Sequence, residues 1–547
     1  MTSVLAHGRT NALAAPLGLF LLALVARAVV VAAVPFPASE DSAYYVAVAR
    51  NLLDGHGLVS NAIWSYATPP LTLPKPAFEL WMPMSTFVSA AAMAVLGHTY
   101  AAAQLGNVLL GSFVAPLTWL VGRDAAAAAG LSGRRQATVA LTAGALAAVL
   151  GPLLVATAVP DSTTPFLVFG LLAAALVPRA LRPNAVRSRV ALGVVLGLAY
   201  LSRSEAIWLG LTWLLLLVQL RRSAGTHLQR PSWASHLGPV VIGGLIVVVP
   251  WLIRNAVTFG SPFAGQALDN ALITRNEQIF AFVDRPSLHD FLGQGVVGIV
   301  GNQAAGLLHQ LVNVLLVPAF PVGLVGVLAV VALRRSPAVR NLTALRALLI
   351  SGLLIFLVTG LLFPVATLWG TFLHASGPLL AGLCVTAALG MDAVIARVRV
   401  ARAWSRENAW LSAAALLALA VPLAGFESVV IGVQSTAELQ RVQETADAAR
   451  GLPEVQAGST IVSDHPIWLS DALGVPVIAL PDESPTDLGR LIDTFHATLV
   501  VVMDQRGRYP EALLSGPDRP CTFGLPVPLG DPAHPTWFMR ILPGCQT

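Results

Sequence analysis

Residues 12–45 of the chain read ALAAPLGLFLLALVARAVVVAAVPFPASEDSAYY. The stretch from 12 to 34 carries one charge, Arg27. As a helix rising 1.5 Å per residue it would be about 35 Å long, enough to cross a hydrocarbon core of roughly 30 Å. Two carboxylates, Glu40 and Asp41, follow almost at once. The pattern predicts a membrane span with ionisable groups placed just beyond its far end.

The composition of the whole chain agrees with a membrane protein. Of its 547 residues, 56% are hydrophobic and 11% are charged, and the mean hydropathy is +0.72. Soluble domains have about 25% charged residues, so this chain is not a soluble enzyme, a disordered protein or a disulfide scaffold. The net charge of +5, from 33 basic and 28 acidic residues, is too small and too scattered to indicate nucleic-acid binding.

Arginine positions predict the topology, because basic residues gather on the cytoplasmic side. Arg9 places the N-terminus inside, and five arginine groups follow, near 123–135, 179–189, 221–230, 334–346 and 397–406. The predicted architecture is a mainly α polytopic bundle with the N-terminus in and the C-terminus out. Its eleven predicted spans are 12–34, 101–121, 137–158, 163–178, 190–202, 206–220, 236–253, 307–333, 346–363, 371–396 and 409–431.

Residues 35–100 are predicted to form a large outer loop after the first span. The apolar stretch Trp81–Gly97 would place every later arginine group outside if it crossed the bilayer. We therefore interpret it as a helix lying at the outer interface. A twelfth span, with the charge rule broken, is the alternative.

The tail, residues 432–547, has ordinary charge density and is predicted to be a small extracytoplasmic α/β domain, separate from the membrane domain 1–431. Short buried strands are predicted near Thr460–Ser463, Val475–Leu480 and Ala497–Met503, with helices between them. Cys521 and Cys545 both lie in this tail. An oxidising compartment would allow a disulfide between them, and two free thiols are the alternative.

The carboxylate pair Glu40–Asp41 precedes a segment with helical spacing, residues 42–53, that ends before Gly55. Tyr45, Val46 and Ala49 belong to its apolar face. We interpret the segment as an amphipathic interfacial helix with a functional carboxylate in front of it. Alternatively, Asp41 or Ser42 simply caps the helix.

Arg203-Ser204-Glu205 separates two apolar runs of 13 and 15 residues. Each run is about 20 Å long as a helix, too short to span alone, so a hairpin with its tip in an outer cavity is predicted. An arginine there suits a phosphate or a carboxylate. A self-satisfied Arg203–Glu205 ion pair is the alternative.

Other polar residues also fall at predicted outer span ends. They are Asp161, Arg254 and His374. Ionisable groups at membrane depth are costly and therefore usually have a task, although a lone histidine is more often structural. Because all three residues lie on the same predicted side of the membrane, they favour a single site on the outer side.

Several stretches of the chain resemble motifs of the GT-C membrane glycosyltransferases, above all of bacterial protein O-mannosyltransferases and aminoarabinose transferases. The motifs are Asp41-Ser-Ala-Tyr-Tyr, Ala49-Arg-Asn-Leu-Leu-Asp-Gly-His-Gly-Leu, Trp81-Met-Pro-Met, Leu201-Ser-Arg-Ser-Glu, and Pro250-Trp-Leu-Ile-Arg-Asn with Gly260-Ser-Pro. The resemblance covers roughly residues 10–400 and rests on the order and spacing of the motifs.

The resemblance implies a polyprenyl-phosphate-linked sugar donor and transfer on the extracytoplasmic face of the plasma membrane to a glycan, lipid or protein acceptor. It implies that Asp41, with Glu40 beside it, is the base or helps to bind a divalent metal; no other cofactor is expected. The candidate donor and substrate contacts are Arg203, Glu205, Arg254, Lys75, His56, His374, Asp161, Tyr44 and Tyr45.

Two other functions stay open on the sequence. A transporter or flippase of a lipid-linked or small polar substrate would need ionisable residues in both halves of the membrane. A non-catalytic assembly or sensor protein would act through its outer tail.

Overall fold

The structure is a computed structural model that describes residues 2–223, 232–263, 265–404, 408, 410–504, 513–514, 520–530, 532 and 535–542. Most of these residues are helical. The first ten helices are α1 (Thr2–Ala33), α2 (Glu40–Leu53), α3 (Met84–Leu96), α4 (Tyr100–Gly111), α5 (Val114–Ala128), α6 (Gly133–Val149), α7 (Gly151–Ala156), α8 (Thr163–Ala180), α9 (Val186–Ser202) and α10 (Ala206–Ser223).

The second set of helices carries the chain to the tail. It comprises α11 (Trp233–Phe259), α12 (Ala267–Leu272), α13 (Leu288–Gly293), α14 (Gly295–His309), α15 (Val322–Ala332), α16 (Pro337–Arg340), α17 (Ala344–Leu362), α18 (Thr371–Ala375), α19 (Gly377–Ala401) and α20 (Trp410–Arg450). Residues Asn276–Phe280 and Ala366–Trp369 form short 3₁₀ helices, and Gln310–Leu316 forms a π-helix.

Eight helices of the described residues are long and apolar enough to cross a bilayer: Leu13–Ala33, Tyr100–Ala128, Thr163–Ala180, Trp233–Phe259, Gly295–Leu316, Ala344–Leu362, Gly377–Ala401 and Trp410–Arg450. The predicted mainly helical membrane bundle is therefore confirmed. Helices α6, α9 and α10 occupy three more predicted spans. The total of eleven spans and their orientation remain predictions.

One predicted span has a different form in the structure. Residues 307–333 are not a single helix but the end of α14, the π-helix Gln310–Leu316 and the separate helix α15. Pro318 and Pro321 account for the break, because proline lacks the amide hydrogen that a continuous helix needs. The helix before the break starts earlier than predicted, at Gly295.

Helices α9 and α11 pack closely through glycine. A Cβ atom built at Gly193 would lie 2.0 Å from the carbonyl oxygen of Val240, and one at Gly243 would lie 2.3 Å from that of Val190. Such close backbone approach is typical of membrane helices that associate through small residues. This contact fixes the end of α9, and with it the turn that carries Arg203.

The outer loop contains two helices and three short strands. Helix α2 begins after Ser39, whose hydroxyl accepts a hydrogen bond from the backbone N–H of Ser42, so Ser39 rather than Asp41 or Ser42 is the cap. The strands are β1 (Val59–Ser60), β2 (Ala62–Ile63) and β3 (Lys75–Pro76). Helix α3 coincides with the predicted interfacial stretch and has 13 residues, too few to span alone.

The predicted α/β organisation of the tail is confirmed. After α20 come α21 (Pro453–Gln456), β4 (Ile461–Ser463), α22 (Pro466–Leu473), β5 (Val477–Ala479), α23 (Pro485–Phe495), β6 (Leu499–Val502), β7 (Val527–Leu529) and β8 (Thr536–Arg540). The sheet has the order β2-β5-β4-β6-β8-β7, parallel from β2 to β6 and antiparallel at β8 and β7.

The outer loop and the tail share one sheet and one core. Strand β2 of the loop pairs with β5 of the tail, at Ala62–Val477 and Ile63–Ile478. The proposed domain boundary between residues 431 and 432 lies inside the continuous helix α20. Cys521 is exposed, and Cys545 lies outside the described residues, so both the disulfide and the two free thiols stay predictions.

Candidate functional site

A large cavity lies where the outer loop, the membrane helices and the tail meet. Its volume is about 1180 Å³. Six predicted site residues line it from three elements: Glu40, Asp41 and Tyr45 from α2, Arg203 and Glu205 from the α9–α10 turn, and His374 from α18. Aromatic side chains line much of its wall, namely Tyr45, Trp64, Trp81, Tyr200, Trp208, Phe263, Phe280, Phe363, Trp369 and Trp468.

Asp41 stands in the first turn of α2, where the helix dipole favours an anion. Its side chain is 35% exposed, facing the cavity, and its Oδ2 lies 3.8 Å from His374 Nε2. Desolvation in the cavity raises the pKa of Asp41 above the ordinary aspartate value, although the charges of His374 and Arg203 work against this shift. A carboxylate with a raised pKa is a suitable proton acceptor.

His374 is held by a second carboxylate. Its Nδ1 lies 3.0 Å from Asp161 Oδ1, which also accepts hydrogen bonds from the backbone N–H and the hydroxyl of Thr163, at 2.7 and 2.6 Å. Burial alone would raise the pKa of Asp161, but His374 and Thr163 together lower it well below the usual range. Burial alone would lower the pKa of His374, and the Asp161 carboxylate raises it above its ordinary value.

Arg203 forms the other charged contact of the cavity. Its Nη2 donates to Glu205 Oε1 at 2.6 Å, and its Nη1 donates to Ser162 Oγ at 2.8 Å. The two alternatives predicted for Arg203, a position in an outer cavity and an ion pair with Glu205, are therefore both present in the structure. Arg203 Nε is buried and has no hydrogen-bond partner among the described residues. A buried donor without a partner is costly, so the protein neighbours of Arg203 leave part of its hydrogen-bonding capacity unused.

Asp41, Asp161 and His374 also fit a divalent cation. One ligand atom from each lies within 4.8 Å of the others, and two carboxylates with one imidazole are a common donor set for zinc or manganese. Glu40, which the sequence pairs with Asp41 for a metal, instead accepts at Oε1 from the backbone N–H groups of Ile467 and Trp468, at 3.1 and 3.4 Å.

Glu40 thus joins the membrane part to the tail. It lies against the first turn of α22, where a carboxylate is stabilised by the helix dipole. The indole nitrogen of Trp468 donates to the carbonyl oxygen of Pro37 at 3.1 Å. His465 stacks on Trp468 with ring centroids 4.7 Å apart. Both rings border the cavity.

Lys75 and Arg254, which the sequence predicts as donor contacts, instead form hydrogen bonds that stabilise the outer loop. Lys75 is 1% exposed, donates to the carbonyl oxygens of Ser65 and Thr68, and lies 3.6 Å from Glu79. Burial lowers the pKa of Lys75 and raises that of Glu79. Arg254 donates from Nη2 to the Ala77 carbonyl at 2.8 Å. Neither cation is among the residues that line the cavity.

The remaining candidates divide between the cavity and its surroundings. Tyr45 lines the cavity. Tyr44 packs behind it, and its hydroxyl accepts a hydrogen bond from the backbone N–H of Phe78 at 2.8 Å. His56 is exposed in the turn after α2 and is not part of the cavity wall. Arg27 pairs with neither Glu40 nor Asp41, because its Nε donates to Thr157 Oγ1 at 2.6 Å inside the bundle.

Sequence reasoning missed the cavity residues that the tail supplies. Asp464 and His465 follow β4, at the carboxyl end of a parallel strand. Open parallel sheets usually bind ligands at that end, so the strand pattern contained a usable signal. Trp64 and Ser162 had no comparable signal in the sequence, because only the fold brings them to the site.

No family model matches the chain, and no curated protein matches its sequence. Solved structures do share its fold. ArnT from Cupriavidus metallidurans in the apo state is 15% identical over 97% of this chain and 98% of that chain, with a TM-score of 0.53. The same protein bound to undecaprenyl phosphate is 17% identical, with a TM-score of 0.53, and covers 97% and 99% of the two chains.

A third similar structure is the archaeal oligosaccharyltransferase AglB from Archaeoglobus fulgidus, in complex with an inhibitory peptide and a dolichol-phosphate. It is 12% identical over 89% of this chain and 69% of that chain, with a TM-score of 0.57. AglB and ArnT are both GT-C membrane glycosyltransferases. The chain has the GT-C fold. Within it, the cavity that holds Asp41 is formed by the first outer loop, the membrane helices and the tail together.

Proposed function

We propose that the chain is a membrane glycosyltransferase that transfers a sugar from a polyprenyl-phosphate-linked donor to an acceptor hydroxyl. One observation carries this proposal: Asp41, Asp161, Arg203 and His374 converge in or beside one cavity. The GT-C fold supports it, since AglB and ArnT have been solved with dolichol-phosphate and undecaprenyl phosphate.

Asp41 acts as the base. It takes the proton of the acceptor hydroxyl while the hydroxyl oxygen bonds to the anomeric carbon of the donor. The bond between that carbon and the phosphate oxygen breaks, and polyprenyl phosphate leaves with the electron pair. The raised pKa of Asp41 suits this role, because a more basic carboxylate is a better proton acceptor.

Arg203 stabilises the leaving phosphate. The negative charge on the phosphate grows in the transition state, so a preorganised cation beside it lowers the barrier. Its partners Glu205 and Ser162 hold the guanidinium in place in the wall of the cavity. His374 directs Nε2 toward Asp41 and adds a second positive charge while it is protonated.

Asp41, Asp161 and His374 are the residues that would hold a divalent cation. A cation there would supply electrostatic stabilisation to phosphate oxygens. Asp161 contributes in either case, because its carboxylate orients the His374 ring through Nδ1. The aromatic wall, including Trp81 and Trp64, offers flat apolar surfaces for a sugar ring or the prenyl chain.

The proposed side of the membrane is extracytoplasmic. Arginine groups mark the opposite ends of the helices that carry the site, and such groups gather in the cytoplasm. The proposed membrane is the plasma membrane, and the acceptor is a glycan, lipid or protein that reaches the cavity from outside.

The replacement Asp41→Asn tests the assignment. We expect sugar transfer to fall by at least about 10²-fold, because the amide cannot accept the proton, while the nearly equal size preserves the fold. Mass spectrometry of cell-envelope glycans, from cells with the wild type or the variant, measures the product. Asp54→Asn, at the exposed end of the same helix, is the matched control.

Wild-type product levels in the Asp41→Asn variant would contradict the proposal. A protein that moves lipid-linked sugar across vesicle membranes without any covalent product would instead be the transporter or flippase that the sequence leaves open.

A further inference from the structure

A second cavity lies at the other end of the helices that build the Asp41 site. Its volume is about 1070 Å³, and its lining shares no residue with the first cavity. Helix α10 borders the first cavity at Ile207 and Trp208 and the second at Gln219 and Ser223. Helix α17 likewise runs from the second cavity to the first. The two sites therefore occupy opposite ends of the bundle.

The second cavity has one strongly basic end. Arg334, Arg335, Arg340 and Arg346 all line it, and Asn341 and Gln219 add polar groups. No carboxylate lines this cavity, and within the described chain none of the four arginines forms a salt bridge with an acidic side chain. Four neighbouring guanidinium groups without counter-ions favour an anionic ligand.

The rest of the wall is apolar. It extends along α17 from Arg346 to Phe356, ten residues or roughly 15 Å, and Leu315 and Leu383 face it from neighbouring elements. The groove also opens sideways, because Val331 and Leu353 line it and are 56% and 55% exposed. A charged end joined to an apolar, laterally open groove matches a lipid, with headgroup and chain.

We propose that this cavity binds an anionic phospholipid, with its phosphate on the arginine end and an acyl chain along the α15–α17 groove. Basic pockets between membrane helices on the cytoplasmic side are known to take such headgroups. The proposal goes beyond the glycosyltransferase function and does not depend on it, since the two cavities share no lining residue. If these arginines served only to keep this end of the helices in the cytoplasm, they would not need to line a cavity. The group Arg397, Arg399 and Arg402 meets the topological need and lines neither of these two cavities.

Native mass spectrometry of the purified full-length protein tests the proposal, with phosphatidylglycerol and with phosphatidylcholine of the same chains as probes. The test variant is Arg334→Gln with Arg335→Gln and Arg340→Gln. Arg346 is kept because its guanidinium donates to the Arg340 carbonyl and so supports the local fold. The matched control is Arg397→Gln with Arg399→Gln and Arg402→Gln, which removes the same charge outside the cavity.

We expect the wild type to retain phosphatidylglycerol over phosphatidylcholine, and the test variant to lose this retention by roughly tenfold or more, because three of the four guanidinium groups at the headgroup end are removed. The control variant should stay within about twofold of the wild type, because its three arginines do not line the cavity and so would not touch a headgroup bound there. Equal retention of the two lipids, or equal loss in the control, would overturn the proposal.

Two further arms identify the ligand. Leu353→Trp narrows the groove at an exposed position and leaves every arginine in place, so bound phosphatidylglycerol should fall; full retention would overturn the placement of the chain. Inorganic phosphate should not displace the lipid at equal concentration. Displacement by inorganic phosphate, or stronger binding of undecaprenyl phosphate, would overturn the phospholipid assignment.

Discussion

His374 connects the two carboxylates of the site through its two ring nitrogens. Nδ1 binds Asp161 at 3.0 Å, and Nε2 faces Asp41 at 3.8 Å. A proton on His374 therefore balances part of the negative charge of the pair. A divalent cation would compete with this proton, because a metal binds the neutral imidazole.

The raised pKa of His374 predicts a pH dependence of metal binding. Its proton is fully held below the ordinary histidine pKa of ~6.5 and leaves only as the pH rises through the higher folded-state value. We expect Mn²⁺ affinity to increase from about pH 6 to about pH 8, by up to tenfold per pH unit for one displaced proton. Isothermal titration with Mn²⁺ measures it.

His374→Gln is the control for this titration, since glutamine does not change its charge in this range. The variant should bind Mn²⁺ weakly and with little pH dependence. Mn²⁺ affinity that stays constant with pH in the wild type would show that His374 is not a ligand.

At the residue scale, the sequence predicted the polar centre better than its surroundings. Asp41, Asp161, Arg203 and His374 could be grouped because each stands at a predicted outer span end. Lys75 and Arg254 were equally plausible by charge, but they neutralise or satisfy groups within the folded outer loop. The groups that a cationic side chain contacts depend on how the loop packs. The hydropathy of the sequence does not predict that packing.

Among the elements, the close α9–α11 contact is sensitive to side-chain size. Gly193→Ala would bring a methyl group against the Val240 carbonyl, so we expect a loss of about 1–3 kcal/mol in the free energy of unfolding. Gly210→Ala on α10 meets open space and should be neutral or gain up to about 1 kcal/mol from helix propensity. Thermal unfolding in detergent compares them.

The same pair of variants has a functional outcome. Because α9 ends at Ser202, a shift of α9 would move Arg203 and reduce activity in Gly193→Ala. If both variants had equal stability, the close α9–α11 contact would be wrong.

Element positions were predictable wherever hydropathy and charge changed together. The helices near 163–178, 206–220 and 346–363 were found within a few residues. The break after Leu316 was not, because the apolar run continues through Pro318 and Pro321 and hydropathy alone treats it as one span. In the tail, the alternation of buried strands and helices predicted β4, β5 and β6 correctly.

In the whole molecule, the loop and the tail depend on each other. Removing residues 432–547 would take away the partner strand β5 and expose Ile63 and Trp64, which are now buried. We expect the truncated protein to lose its site and to be degraded or to unfold at lower temperature, rather than to keep an intact outer loop. Limited proteolysis between residues 54 and 80 measures the loss.

The control is a truncation after Leu542, which removes only the last residues and leaves β8 intact. A protein truncated at 432 that resisted proteolysis as well as this control would show that the outer loop folds alone. The pairing of β2 with β5 could not be predicted from the sequence, because β2 has only two residues and its partner strand lies more than 400 positions away.

Helix α20 runs for 41 residues without interruption from the bundle into the tail. At 1.5 Å per residue it is about 60 Å long, roughly twice the thickness of the hydrocarbon core. It is therefore long enough to cross the bilayer and continue into the core that the outer loop and the tail share, where Val442 and Ala449 are buried. For the proposed function, an acceptor hydroxyl has to reach the cavity between the membrane helices and this outer domain, which favours molecules anchored in the same bilayer or long enough to reach down to the cavity.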